Sequence, residues 1–394
     1  MNFSKKDYYI CPFCFTKHAL NEVGFVCKND KYNKDGQICA NAKDNKIMLY
    51  GESEVKEIPK SMYCDECGEI SNTKVCPTCG SELPYTIGEY EDLVFAVIGA
   101  KEAGKSHYIA VLIDKIMNEM GAAFDCSLQA IDDATIKRYR NDFYYPVFRK
   151  NELIKITRSA KADESVSKPL LYTLSFREKN KFARLIKGNS VKKVVTIAFF
   201  DTAGEDLNEE DTMKTVNKYI YNSSGIIFLL DPLQLPEVRE KMPNEMKLPE
   251  QNIEIEDLLS RTANLIRKAN DISLEKTIDI PVAVAFSKID ALEEIIGKSC
   301  CINYPSKHVE EGKFDIADFE DVNDTMEALV NEWGGANFTN QLSANFKDYA
   351  YFGLTALGCN PESNKILKLR PHRVEDPFLW LLWKHKLIKA EKRK

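Results

Sequence analysis

Apolar residues run unbroken through Leu93-Val94-Phe95-Ala96-Val97-Ile98, the pattern of a strand buried on both faces. Comparable runs recur at Leu170–Phe176, Val194–Phe200, Gly225–Leu230, Val282–Phe286 and Tyr349–Leu354. Apolar positions at helical spacing separate most of them, over Ser106–Met120, Asp211–Tyr221, Glu254–Ala269 and Asp318–Trp333. Alternating strands and helices predict an α/β fold with a largely parallel sheet. The runs at 170–176 and 194–200 have no long helix between them, which predicts an antiparallel hairpin at the sheet edge. Residues 234–253 are rich in Pro and Glu and read as a surface loop, and 297–316 read as irregular. Near the end, Phe378, Leu379, Leu382, Trp383 and Leu387 fall at helical spacing. That spacing predicts a terminal helix docked on the core, with a partner-binding helix as the other reading.

The first 85 or so residues break this pattern. They are poor in apolar runs and rich in Cys, Lys, Asp and Asn, so they need a staple other than a core. With 394 residues the chain predicts two or three domains. A formal net charge of −6 gives no global pull toward nucleic acid or an anionic membrane. No stretch of 18 or more apolar residues predicts a membrane span. The polar start, Met1 to Asp7, lacks the apolar core of a secretory leader, so the expected location is the cytoplasm.

Eight of the twelve cysteines lie before residue 80. In a chain expected to stay in the cytoplasm, paired C-x-x-C knuckles read as metal sites rather than disulfides. Cys64, Cys67, Cys76 and Cys79 form two knuckles with a short spacer, a zinc-ribbon spacing with Gly68 and Gly80 as turn residues. Four thiolates leave no open position, so this zinc would be structural. Iron–sulfur is the alternative. A second zinc is expected on Cys11, Cys14, Cys27 and Cys39, with His18 able to replace Cys27 or Cys39. The domain reading is therefore a cysteine-rich module at 1–50, a zinc ribbon at 51–88 and a nucleotide-binding domain at 89–394. Asp65, Glu66 and Glu69 disfavour a phosphate contact, so nucleic acid is not expected as a partner.

After the first strand comes Gly99-Ala100-Lys101-Glu102-Ala103-Gly104-Lys105-Ser106, followed by His107 at the start of a helix. This is G-x-x-x-x-G-K-S in its required strand-to-helix setting. Its glycines let backbone amides cradle phosphate, Lys105 would reach the β- and γ-phosphates, and Ser106 would hold Mg²⁺. Val194–Phe200 runs into Asp201-Thr202-Ala203-Gly204, where Asp201 could serve the Mg²⁺ shell and Gly204 sense the γ-phosphate. Val282–Phe286 runs into Ser287-Lys288-Ile289-Asp290, similar to [NT]-K-x-D. Asp290 would accept from the guanine ring N–H and amine, and Lys288 would lie along the base; Ser287 departs from the usual Asn or Thr. Tyr349–Leu354 ends in Thr355-Ala356-Leu357, a loop whose amide could contact the guanine carbonyl.

A long stretch separates Lys105 from Asp201, which implies an insertion before the hairpin. Thr157 is the first choice for a switch threonine on Mg²⁺, with Thr135 and Thr173 as alternatives. Glu205 stands where a water-positioning Gln is common; it could orient water or be a helix N-terminal acid. Arg149 and Arg158 are candidate arginine fingers.

The set G-x-x-x-x-G-K-S, D-T-A-G, S-K-I-D and T-A-L resembles the translation-factor/Ras-like class of P-loop GTPases, from about Leu93 to Trp383. More narrowly, Gly104–Ile109, the long segment before the second strand and Val374–Leu382 resemble the bacterial double-GTPase group. The class implies a three-layer αβα sandwich, mostly parallel with one antiparallel edge hairpin, binding GTP or GDP with Mg²⁺. The group implies a protein partner, either a second GTPase or a component of a membrane-bound system. A slow GTP hydrolase is the leading expectation. An ATPase of the same fold and a non-hydrolysing adaptor are the rivals.

Overall fold

The computed structural model describes residues 7–30, 38–51, 55–88, 91–100, 102–155, 169–177, 191–200, 213–243, 248–249 and 255–391. The phosphate-loop strand β8 (Glu91–Ile98) sits near the middle of a seven-stranded sheet. The others are β9 (Cys126–Ala130), β10 (Leu170–Arg177), β11 (Val191–Phe200), β12 (Gly225–Leu230), β13 (Val282–Phe286) and β15 (Tyr349–Gly353). The order is β15-β13-β12-β8-β11-β10-β9. From β15 to β11 every pairing is parallel. β10 runs antiparallel to both β11 and β9, so β9 and not the hairpin is the last strand. That corrects the expected edge. Cys126-Ser127-Leu128-Gln129-Ala130 is too short and too mixed to stand out, but its pairing with Tyr172–Phe176 covers the hairpin's outer side.

Alternate residues of β8 divide between two apolar layers. Leu93, Phe95 and Val97 face one side. There they meet α1 (Lys105–Lys115), which continues in wider π-helical turns to Met120, and the terminal helix α6 (Asp376–Lys384). Val94, Ala96 and Ile98 face the other. There they meet α2 (Met213–Tyr221), α3 (Ile255–Ala269), α4 (Ile316–Glu332) and α5 (Ala336–Asn345). Burial on both faces explains why these strands read as unbroken apolar runs. Helix α6 is itself deep in the core, with Phe378, Leu379 and Leu381 fully covered and Phe378 edge-on to Phe95. Two short strands, β14 (Phe314–Asp315) and β16 (Ala390–Glu391), pair in parallel behind it.

Before the sheet lies a module with its own small core of Tyr9, Leu20, Val23, Phe25, Met48, Ile58, Leu83 and Ile87. Hairpin β1 (Tyr8–Ile10) and β2 (Lys17–Ala19) opens it. Strand β3 (Gly24–Val26) then pairs antiparallel with both β4 (Ile47–Leu49) and β7 (Thr73–Val75). A second hairpin, β5 (Met62–Tyr63) with β6 (Ile70–Ser71), carries the middle knuckle. The β3–β7 pairing joins described residues on either side of the expected boundary at residue 50. Among the described residues no helix is long and apolar enough to cross a membrane.

Candidate nucleotide and zinc sites

Gly99 directly follows β8 where the chain passes β12, and a Cβ there would lie 2.3 Å from the Leu229 carbonyl oxygen. Gly104 caps α1 at φ 86°, ψ 20°, a left-handed conformation suited to glycine. Open space lies where its Cβ would project. A glycine-containing loop closed by a helix N-terminus fits a phosphate group. Lys105 is buried, and its Nζ donates to the carbonyls of Gly99 at 2.8 Å and Ala100 at 2.9 Å. Glu102 is exposed, Ala103 is buried beneath the loop, and Ser106 is partly buried on the first helical turn. Lys101 lies outside the described residues.

The Ser287–Asp290 and Thr355–Leu357 loops sit at the same end of the sheet, because β12, β13 and β15 run parallel to β8 and end beside it. Ser287 follows β13; its amide and hydroxyl both donate to Leu230 O, at 2.7 and 3.0 Å. Lys288 takes a left-handed turn, and Asp290 is exposed on the short helix after it. The Ile289 amide donates to Leu354 O at 3.1 Å, tying this turn to the β15 end. Thr355 is buried and exchanges backbone hydrogen bonds with His372, while Ala356 and Leu357 are partly buried.

Two contacts here were not anticipated. Asp231, buried at the end of β12, receives the Lys288 ammonium at 2.5 Å and the Leu233 amide at 3.0 Å. Its sequence signal was the same as that of Asp201, a carboxylate directly after a buried run. His107 was expected at the nucleotide. In the structure its Nε2 accepts the Ile154 amide at 3.0 Å, pinning the segment that leads toward Thr157. Burial, and next the charge of Lys288, push the His107 pKa down to about 4, so the ring is neutral and can accept.

Thr157, Asp201, Gly204, Glu205 and Arg158 lie outside the described residues. The alternatives to Thr157 have structural roles or positions: Thr135 closes a helix start and accepts the Leu171 amide, and Thr173 is buried within β10. Arg149 lies over the Tyr144 ring.

The eight early cysteines form two tetrads, but not the expected ones. Cys11, Cys14, Cys76 and Cys79 converge, and Cys27, Cys39, Cys64 and Cys67 converge, the second nested inside the first. The expected sets, Cys11/Cys14/Cys27/Cys39 and Cys64/Cys67/Cys76/Cys79, followed chain order. The β3–β7 pairing overrides it by bringing the chain before Cys76 against the chain before Cys27. Sulfur separations are 3.9 and 3.7 Å in the outer tetrad and 3.8 and 3.7 Å in the inner one. A tetrahedral zinc with bonds of about 2.3 Å requires sulfurs about 3.8 Å apart, so both sets fit zinc. The hydrogen bond from Cys11 is the chief cause that draws the Cys79 thiol down to about 6. His18 is no ligand; its Nε2 lies 3.5 Å from Cys76 Sγ, beside the outer tetrad. No disulfide joins any of the twelve cysteines.

His308, Asp318 and Asp376 also converge, fully buried. The positive charge among them is already supplied by Arg373. Its guanidinium grips both Asp318 oxygens, at 2.9 and 3.0 Å, and Asp376 at 2.8 Å. Burial opposes ionisation, yet Arg373 holds Asp318 below the usual carboxylate range. This cluster fastens α6 to α4.

No protein-family model matches the chain. SaeC of Mycolicibacterium smegmatis, provisionally described as an ESX-1 scaffolding and assembly protein, is 22% identical over 325 residues, 78% of this chain and 79% of SaeC. The Trypanosoma brucei Arl6 (BBS3) small GTPase, solved with the nucleotide analogue GppNp, is similar at 12% identity and TM-score 0.31, over 76% of this chain and 99% of Arl6. The Ski7 GTPase-like domain of S. cerevisiae bound to GTP is similar at 13% identity and TM-score 0.33, over 77% of this chain and 52% of that one.

Proposed function

We propose that this protein binds a guanine nucleoside triphosphate at Gly99–Ser106 and acts as a switch that hydrolyses it to the diphosphate and phosphate, slowly without a partner. The observation that carries the reading is the loop itself, with left-handed Gly104 opening α1 and the Ser287–Asp290 and Thr355–Leu357 loops on the same sheet end. Lys105 neutralises the β- and γ-phosphates, with Gly99 to His107 forming the cradle. Asp290 reads guanine, supported by Ser287, by Lys288 on its Asp231 anchor, and by the backbone of Thr355, Ala356 and Leu357. Mg²⁺ would be held by Ser106, Asp201 and Thr157 and would supply further charge neutralisation. His107 supports the Thr157 assignment, since Ile154 is held at the first turn of α1 and three residues of chain span at most about 10 Å. Gly204 senses the γ-phosphate and Glu205 orients the attacking water. The zinc module at 7–88 serves structure and docking, and the working location is the cytoplasm.

A second reading has a specific observation behind it. SaeC is described as a scaffolding and assembly protein, and Glu205 replaces the usual Gln. Both favour a nucleotide-dependent adaptor that assembles with protein partners and does not turn over. Fluorescent-nucleotide titration with a phosphate-release assay tests both. GTP should bind at least ~10-fold tighter than ATP, the scale of one lost buried polar pair. Asp290→Asn should shift preference toward xanthine nucleotides, and Lys105→Ala should abolish tight binding. Equal GTP and ATP affinity refutes the guanine assignment. Tight GTP binding with no phosphate released, alone or with any partner, refutes the hydrolase and leaves the adaptor.

A further inference from the structure

Three knuckles in the zinc module share one backbone form. The fifth residue donates its amide to the first cysteine's carbonyl at 2.9 Å in each: Phe15 to Cys11, Gly68 to Cys64, Gly80 to Cys76. The fifth residue is left-handed in all three, at φ 55°, 70° and 70°. Glycine occupies that position twice because a side chain there is strained. The first knuckle carries phenylalanine instead. Strain kept against so simple a remedy points to a use for the side chain.

Phe15 is fully buried, yet not in the module's own core; it belongs to the apolar layer under the main sheet. Its ring lies 5.0 Å from that of Tyr219 on α2. Asn222, just beyond that helix, donates to Phe15 O at 2.8 Å, and Lys218 donates to Thr16 Oγ1 at 2.8 Å. Phe13 packs against both cores. Tyr219 then passes the contact onward. Its hydroxyl donates to Phe95 O at 2.6 Å and accepts the Val97 amide at 3.0 Å, gripping the strand that delivers the phosphate loop. A second tie joins Thr86 to Thr196 of β11, hydroxyl to hydroxyl at 3.4 Å.

We propose that the Cys11–Thr16 knuckle is an intramolecular brace on α2, the first described helix after Asp201–Gly204 in the chain, and that it holds bound nucleotide in place through Tyr219. The coupling to nucleotide rests on the reading above; the brace does not. Segments that sense a γ-phosphate rearrange between nucleotide states, and α2 lies beyond the one assigned above. A zinc module seated on it sets the cost of that shift, and a partner that pulls the knuckle away acts as an exchange factor.

The substitution Phe15→Gly tests this in the full chain. It relieves the left-handed strain, so zinc content by metal analysis stays at the parent's value. Amide hydrogen exchange over residues 217–222, measured without nucleotide, should speed up at least ~10-fold on the scale of removing a fully buried ring. Release of a fluorescent GDP should accelerate in parallel. Tyr219→Phe keeps the ring contact and removes only the hydroxyl bridge; it should speed GDP release with zinc content unchanged, and it serves if Phe15→Gly loses metal. Parental exchange in Phe15→Gly overturns the brace. Faster exchange with parental GDP release in both variants overturns the coupling. If the parent binds no nucleotide, the nucleotide reading fails, and the exchange measurement still decides the brace.

Discussion

Protonating His107 should unfasten the segment that leads toward Thr157, and the cost follows from the geometry. Nε2 accepts the Ile154 amide, and a protonated Nε2 cannot accept. Burial, then Lys288, lower the pKa from 6.5 to about 4. The unfolded chain therefore takes up a proton below pH 6.5 that the folded chain refuses until about pH 4. The stabilisation is complete above pH 6.5 and is lost as pH falls toward 4. Linkage puts the loss at about 2 kcal/mol by pH 5 and about 3 kcal/mol at the lower limit. Acid also strips thiolates of zinc, so the parent alone is ambiguous. His107→Gln supplies the control, since its amide oxygen can accept from Ile154 and does not titrate. Urea unfolding of both proteins at pH 7.5, 6 and 5 should show the parent losing about 2 kcal/mol more than the variant by pH 5. Parallel losses would refute a neutral, depressed His107.

The nested tetrads make a pairing prediction: Cys11→Ser with Cys76→Ser should lower zinc from two per chain to about one, because both belong to the same tetrad. Cys11→Ser with Cys27→Ser should remove both zincs, and the reverse pattern would restore the chain-order grouping. Arg373→Ala leaves Asp318 and Asp376 buried without their cation, so stability should fall by about 3–5 kcal/mol in denaturant unfolding.

The sequence was most legible where burial is two-sided. Strands β8, β10, β11, β12, β13 and β15 read as runs because both faces meet apolar layers, and the phosphate loop was visible because glycine is required at Gly99 and Gly104 by close approach and left-handed backbone. Strand β9 was not visible, since Gln129 and Ser127 interrupt it. Helical turns over Asp133–Arg149 were missed as well, with Pro146 breaking the usual pattern inside them. The tetrad grouping was out of reach because a C-x-x-C spacing says that two sulfurs meet, not which other two they meet. That choice is made by the register of Gly24–Val26 on Thr73–Val75, a contact across about 50 residues of chain. Asp231 could have been found, but a lone aspartate after Leu230 has no motif around it to mark it.

The nesting also dictates an order of assembly. Cys11 and Cys14 are the first ligands to leave the ribosome, and their partners Cys76 and Cys79 are the last of the eight. Closing the outer set directly means joining Cys14 to Cys76 across 62 residues, while the inner set joins Cys39 to Cys64 across 25. The shorter loop closes at lower entropic cost, and once shut it leaves only two short spacers for the outer set to span. On this entropic ground the inner set is expected to load metal first. The knuckle bearing Phe15 is completed last, so its seat against Tyr219 is filled only in molecules whose whole amino-terminal region has matured. A half-loaded chain leaves an aromatic ring exposed on one side and an apolar socket on the other, a form that proteases and chaperones can tell from the finished protein.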